Sequence, residues 1–349
     1  MPAVLSVHVD AERLSRSRFA LSRLAELTNG LEVLTHPGRA PFARRWIDET
    51  RRRLDRTKIG ALYDLVGHDY WYVPDFIVPI PAEYEPSLDD ELAAVAATPP
   101  EVVRDQVRRA FRIGPPSNGD KALARIGPDR RAPLPAEIAR VLANDGAGAL
   151  AETVADQLRY CWHEALDESW QQMRRVLDDD IRQRALRASR EGFAAIVRDV
   201  DPRLGWDGTE LTLQIAHDVA LSAEPGVVLT PSLFLPRPAV WVGEPGQVMV
   251  GYPARGRGQV WSEPTRVPGS TDVLGARRAA LLGDLDVPRT TTELAARHLL
   301  SPATVSYHLG RMRSAGLVAR RPDGHAVRYE RTDQASALLA AIATAPGDR

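Results

Sequence analysis

Ser301 and Pro302 fix the most constrained stretch of this chain: a serine suited to cap a helix, then a proline at the first helical position. At that position the missing N–H costs nothing. Val305, Leu309 and Met312 follow at intervals of four and three, which puts all three on one buried helix face. The opposite face carries Ala303, Ser306, Tyr307, Gly310 and Ser314, with Thr304 and Arg311 at its edge. A short helix capped by Thr292 and carrying Leu294 and Ala295 is expected just before. Ahead of it, a first helix over residues 273–285 has Leu274, Ala280, Leu281 and Leu285 as its inner residues. Past Gly316, residues 317–331 read as two strands around Asp323-Gly324, a strong hairpin signal.

Helix, turn, capped helix and hairpin together specify a winged helix-turn-helix, and the consistency of cap, stripe, turn and wing argues for one defined structure. The open face of the second helix suits a DNA groove. Small residues near Ser301 let the backbone approach, and hydroxyls and guanidinium groups donate to base edges or phosphates. Free N–H groups at the helix start also favour a phosphate. Arg320, Arg321, His325 and Arg328 fall on or near the hairpin tip, a reasonable place for phosphate contacts. Residues 274–331 hold ten Arg against five Asp or Glu, inside a protein whose net charge is -1. Arg enrichment by itself says little, because Lys58 and Lys121 are the only lysines of the chain; placement carries the argument.

Leu294-Ala295, Ser301 to Leu309, Ala315-Gly-Leu-Val318 and the basic hairpin resemble the winged helix-turn-helix of the ArsR family of bacterial repressors. The resemblance covers roughly residues 271–339 and is closest over Thr304 to Leu309. It implies a homodimer that binds a partly palindromic double-stranded DNA operator and releases it when an effector arrives. By position it assigns DNA contact to Ala303, Thr304, Ser306 and Tyr307. Two departures stand out. Leu299 occupies the turn where such proteins often have Gly, Asn or Asp, and a positive φ there would cost a leucine roughly 1 kcal/mol or more. Metal-sensing members carry paired Cys before the recognition helix, or Asp and His in the last helix. Residues 291–300 contain no Cys and residues 333–342 no His, so metal sensing at those two places is not expected.

The chain has 349 residues, 44% of them apolar, which suggests at least two domains at ~150 residues each. One cysteine, Cys161, excludes an internal disulfide framework and suits a reducing compartment. With no long apolar run and no signal-peptide core, a cytoplasmic protein without a membrane partner is expected. Residues 4–9 alternate as a strand. Residues 15–34 are helical in spacing, with Asn29-Gly30 as a possible break, and 42–54, 59–66, 88–97 and 101–111 read as further helices. Residues 70–79 read as a packed loop or edge strand, and Gly114 to Pro135 as a loop. The longest apolar stripe runs from Leu150 through Leu158, Trp162, Leu166, Trp170 and Leu177 to Ile181, a single spine with a candidate kink at Asp178 to Asp180 and an end at Pro202. Leu211, Leu213 and Ile215 alternate as a strand, and hairpins are expected at Glu224-Pro-Gly226 and Gly243 to Gly246. The candidate linker is residues 253–269.

Chemistry in the N-terminal part is harder to find. Cys161 and Glu164 share a helix face and have metal-ligand character, but Cys161 falls in the apolar phase beside Trp162 and Leu158, where a buried structural thiol is the commoner use; His163 points elsewhere. His68-Asp69 and His217-Asp218 read as surface or packing pairs. Trp71, Tyr72, Phe76, Trp162 and Trp170 line either a small-molecule pocket or the core, the core being the commoner use. Arg44, Arg45 and Arg51 to Arg53 face DNA, a partner or, most simply, solvent. No catalytic motif and no resident metal or cofactor is read here.

The expected fold class is α+β and predominantly helical: a large N-terminal helical effector and dimerisation domain with β-hairpins (1–265), then a C-terminal winged helix-turn-helix (271–340). The expected function is a DNA-binding transcription regulator, not an enzyme, with Ser301, Ala303, Thr304, Ser306, Tyr307, Arg311, Arg320, Arg321, His325 and Arg328 at the DNA and a small-molecule effector in the larger domain. Two other readings stay open: an enzyme with a regulatory winged helix, and a winged helix that binds a protein.

Overall fold

A computed structural model describes residues 3–66, 72–111, 113, 133–201, 203–215, 219–243, 246–257, 260–261, 274–323 and 326–344. The chain divides into two units, Met1–Ala254 and Arg255–Arg349. In the first, β1 (Ala3–His8), α1 (Ala11–Arg16) and β2 (Arg18–Phe19) lead into α2 (Arg23–Thr35), α3 (Arg44–Arg53), α4 (Gly60–Val66), α5 (Leu88–Ala96) and α6 (Pro100–Phe111). Next come α7 (Ala136–Asn144), α8 (Gly146–Ala165), α9 (Trp170–Glu191) and α10 (Phe193–Val200). The strands β3 (Leu204–Trp206), β4 (Glu210–Ile215), β5 (Val219–Ser222), β6 (Val227–Ser232), β7 (Ala239–Gly243) and β8 (Gln247–Pro253) close the unit. The fold is α+β, with helices predominant.

The helical half is built on α8, which is buried along Leu150, Val154, Leu158 and Cys161 and packs against α2, α3, α4, α5, α6 and α7. An unbroken apolar stripe gives it that reach, since it can bury a neighbour on each turn. The strands form two four-stranded sheets, ordered β3-β4-β1-β5 and β2-β6-β8-β7. β1 runs antiparallel to β4, with Leu5 opposite Leu213, and parallel to β5. β6 is parallel to both β2 and β8. One apolar cluster, including Val7, Leu211, Val227, Val250 and Ile196, draws from both sheets and α10.

Several expectations are corrected. The spine is two helices: Leu166 leaves helical geometry at φ -127° and a 3-10 turn spans Asp167–Ser169. Asp178 to Asp180 lie inside α9, and the later break falls at Gly192, φ 83°, a conformation that glycine adopts without strain. Asn29-Gly30 does not interrupt α2. A Cβ at Gly30 would stand 3.0 Å from the Trp46 ring, so glycine is there to let α3 approach. Residues 15–22 are not helical throughout, since β2 intervenes. No hairpin forms at Glu224-Pro-Gly226, because β5 and β6 belong to different sheets. The β7–β8 hairpin does form, with Gly243 opposite Gln247. Most of the expected loop at 114–135 and of the linker at 253–269 lies outside the described residues.

The second unit contains α11 (Ala276–Gly283), a 3-10 turn (Asp284–Asp286), β9 (Arg289–Thr290), α12 (Thr291–Arg297) and α13 (Pro302–Ser314). β10 (Val318–Asp323), β11 (Ala326–Arg331) and α14 (Asp333–Thr344) complete it. Leu281, Leu285, Leu294, Val305, Leu309 and Met312 share one core with Leu317, Val318 and Leu339. Ala280, expected inside, is exposed, and Ala279 is buried in its place. The three strands pair in the order β10-β11-β9.

Candidate nucleic-acid interface

The motif is assembled by local capping. Thr290, not Thr292, caps α12: its hydroxyl accepts from Glu293 N at 3.1 Å, and the Glu293 carboxylate accepts from Thr290 N at 2.7 Å. This reciprocal Thr-x-x-Glu box satisfies two otherwise orphan donors, which Thr292, with Ala295 three residues on, has no acid to match. At the far end Leu300 N donates to Ala295 O at 3.1 Å. That closes a Schellman turn with Leu299 in the left-handed position, φ 54°. α13 ends in the same way, Leu317 N to Met312 O at 2.9 Å, with Gly316 in the left-handed position.

Asp284 ties the first helix to the turn. Its carboxylate accepts from Arg297 Nε at 2.6 Å and Nη2 at 2.8 Å, and meets His298 Nε2 at 2.8 Å. Burial pushes the Asp284 carboxyl up, but hydrogen bonds and charge from Arg297 and His298 outweigh it and hold the group well below the usual carboxylate range. The sequence reading missed this cluster; the signal was Arg297-His298 at the end of α12.

Ser301 caps α13, accepting from Thr304 N at 3.1 Å, and its hydroxyl lies 2.9 Å from that of Thr304. Thr304 is half-buried, while Ala303, Ser306, Gly310, Arg311, Arg313 and Ser314 are exposed. Tyr307 stands out at 64% exposure, edge-on to His308 with ring centroids 5.4 Å apart. A Cβ at Gly310 would meet nothing within 4 Å, so the face is open there. Pro302–Ser314 contains no acidic residue. His308 is pushed down by burial and then by the charges of Arg278 and Arg277 on α11. Arg277, Arg278 and Arg313 were not among the expected contacts, although Arg277-Arg278 is visible as a pair in the sequence.

The wing separates its arginines. Arg320 lies opposite Tyr329 and Arg321 opposite Arg328, so alternation places Arg320 and Arg321 on different faces. Both are exposed, and Arg321 pairs with Glu330. Arg328 is directed toward the root of the wing: its Nη1 lies 3.5 Å from Glu293 Oε2 and 3.4 Å from Pro288 O. Arg328 stands directly opposite Arg321 on the hairpin and, through the pairing of β11 with β9, opposite Thr290, beside Glu293. His325 lies outside the described residues.

Of the other candidates, Cys161 is fully buried, and its thiol is pushed up to about 12, first by burial and then by Glu164. His163 faces Asp167 at 3.0 Å. Trp162 and Trp170 pack on each other at 5.3 Å, whereas Phe76 lines a cleft of about 310 Å³ with Trp241 and Val102. Trp71, His68-Asp69 and His217-Asp218 lie outside the described residues. No group of three or more potential metal ligands, and no helix long and apolar enough to cross a membrane, occurs among the described residues.

These elements define a helix-turn-helix protein, and residues 277–321 match a helix-turn-helix domain, which supports DNA-binding transcription regulation. Residues 4–258 match the family of unknown function DUF5937, and the chain belongs to that family. No curated protein and no solved structure matches it.

Proposed function

We propose that the protein is a DNA-binding transcription regulator acting as a homodimeric repressor of the ArsR type, whose N-terminal unit responds to a small-molecule effector. The observation that carries this reading is the outer face of α13: thirteen residues without an acid, opened by a cap and a proline, with Tyr307 and Arg311 exposed. Paired chains would set two such helices in successive major grooves about 34 Å apart. Effector binding would change that spacing and weaken simultaneous engagement. On this reading the N-terminal unit senses rather than catalyses. The protein works in the cytoplasm, where its DNA is.

Selection of bound duplexes from a random DNA pool tests the reading. Enrichment of a partly palindromic site is expected, with Tyr307→Ala and Arg311→Ala each weakening binding at least tenfold at unchanged melting temperature. No enriched sequence, or full affinity in both variants, would favour a winged helix that binds protein.

A further inference from the structure

The corner formed by α2, α3 and α4 encloses a cleft of about 280 Å³ whose lining carries cations and no acid. Leu31, Leu34, Leu54, Ile59 and Val66 supply its apolar walls. Four side chains give it polarity: Arg51, Arg56, Tyr63 and Thr35, whose hydroxyl donates to Glu32 O at 2.8 Å. Arg51 donates from Nε to Leu34 O at 3.2 Å, so it serves partly to cap the end of α2. Arg56 is different. Its guanidinium lies 4.7 Å from the centre of the Tyr63 ring and has no carboxylate partner among the described residues. The surrounding segment Arg51-Arg-Arg-Leu-Asp-Arg-Thr-Lys58 holds five cations and one acid. Two of those cations are engaged on α8 and just beyond it, Lys58 over the Tyr160 ring and Arg53 with Glu168. The single acid, Asp55, caps the following turn by accepting from Thr57 N at 3.0 Å.

A concave apolar wall with one or two convergent polar groups is how proteins hold small molecules. Size narrows the choice: a dry cavity of roughly 150 Å³ accepts benzene, so this one takes a two-ring or medium-chain apolar body. Charge narrows it further. An aromatic-backed guanidinium, planar and always ionised, matches a carboxylate through two parallel N–H donors. A doubly charged phosphate would call for more donors than Arg56 and the partly engaged Arg51 provide.

We propose that this cleft binds a small apolar carboxylic acid, its body among Leu31, Leu34 and Ile59 and its carboxylate on Arg56 beside Tyr63. The further step, that this ligand is the effector, rests on the regulatory reading above. The site is tested with the full-length protein by calorimetry, using 1-naphthoate and decanoate as probes and the matching alcohols as neutral controls. At least one acid is expected to bind one-to-one, at least tenfold more tightly than its alcohol. Arg56→Ala should lose at least tenfold in acid affinity, Arg56→Lys should recover part of it, and alcohol binding should not change. No binding of either acid at millimolar concentration, or equal affinity in Arg56→Ala, would overturn the site. DNA affinity with and without the bound acid is then measured separately. Weakened DNA binding supports the effector role; unchanged DNA affinity with intact acid binding leaves the site standing and removes that role.

Discussion

Leu299 turns the corner of the motif in the left-handed region and lays its side chain over Gly256, so closely that a β-carbon at 256 would stand 2.3 Å from Leu299 Cδ2. The strained residue is thus the one with an apolar surface to cover. A left-handed leucine costs ~1–2 kcal/mol, and burying its side chain returns roughly 1–2 kcal/mol. Leu299→Gly removes both terms and should shift the melting temperature little. Leu299→Ala keeps the backbone cost and loses the cover, so it should be the less stable of the two. Gly256 itself sits at φ 74°, and Gly256→Ala should destabilise by ~1–3 kcal/mol. Thermal melts of the three variants decide it; Leu299→Ala equal to or above Leu299→Gly would refute the balance.

What the sequence made legible was whatever local physics decides. Ser301, Pro302 and the Val305, Leu309, Met312 stripe fall where cap chemistry and helical spacing put them. The break after Ala165 was hidden because Leu166 and Trp170 keep helical phase across it, and periodicity cannot register a turn that preserves the apolar face. Glu224-Pro-Gly226 has the composition of a hairpin turn, but β6 takes its partners from β2 and β8, hundreds and tens of residues away in the chain. At the interface the same division holds. Tyr307 and Arg311 were legible from helix phase, whereas Arg328 was not, because its neighbour Glu293 reaches it only through the pairing of β11 with β9.

That difference between wing arginines is measurable. Arg320 is exposed, while Arg328 already has a carboxylate 3.5 Å away. Neutralising a phosphate releases counterions, so each true phosphate contact contributes to the salt slope of DNA binding. Arg320→Ala should lower that slope by about 1 and weaken all sequences alike. Arg328→Ala should leave the slope near its original value. Fluorescence anisotropy titrations across a salt series would show this, and a larger effect at Arg328 would contradict the assignment.

Cys161 offers a check on the N-terminal core. A thiol with no exposed surface, pushed up to about 12, is protonated and unreachable at neutral pH. The folded protein should not react with Ellman's reagent at pH 8, and should release one equivalent once denatured. Stoichiometric labelling of the native chain would mean that this face of α8 opens.

Glu26 gives stability a pH dependence of predictable sign. The carboxyl is buried on α2, accepts from Leu233 N at 3.1 and 3.2 Å, and is pushed up to about 8 by burial. Its unfolded value is 4.5, so between these limits the folded state holds the proton that the unfolded state has released. Stability is therefore greatest below about pH 4.5 with respect to this group and declines as pH rises toward 8, by at most ~1.4 kcal/mol per pH unit. Glu91, pushed up to about 7 by burial, acts with the same sign but is spent sooner. The interval from pH 7 to 8 is consequently the one in which Glu26 dominates this pair. Glu26→Gln keeps an acceptor for Leu233 N and removes the titration, so it should flatten the decline between pH 7 and 8 and raise stability at pH 8 by roughly 1 kcal/mol or more. Urea unfolding of both proteins at half-unit steps from pH 5 to 9 measures it. Parallel curves for the two proteins across that interval would show that Glu26 does not titrate there.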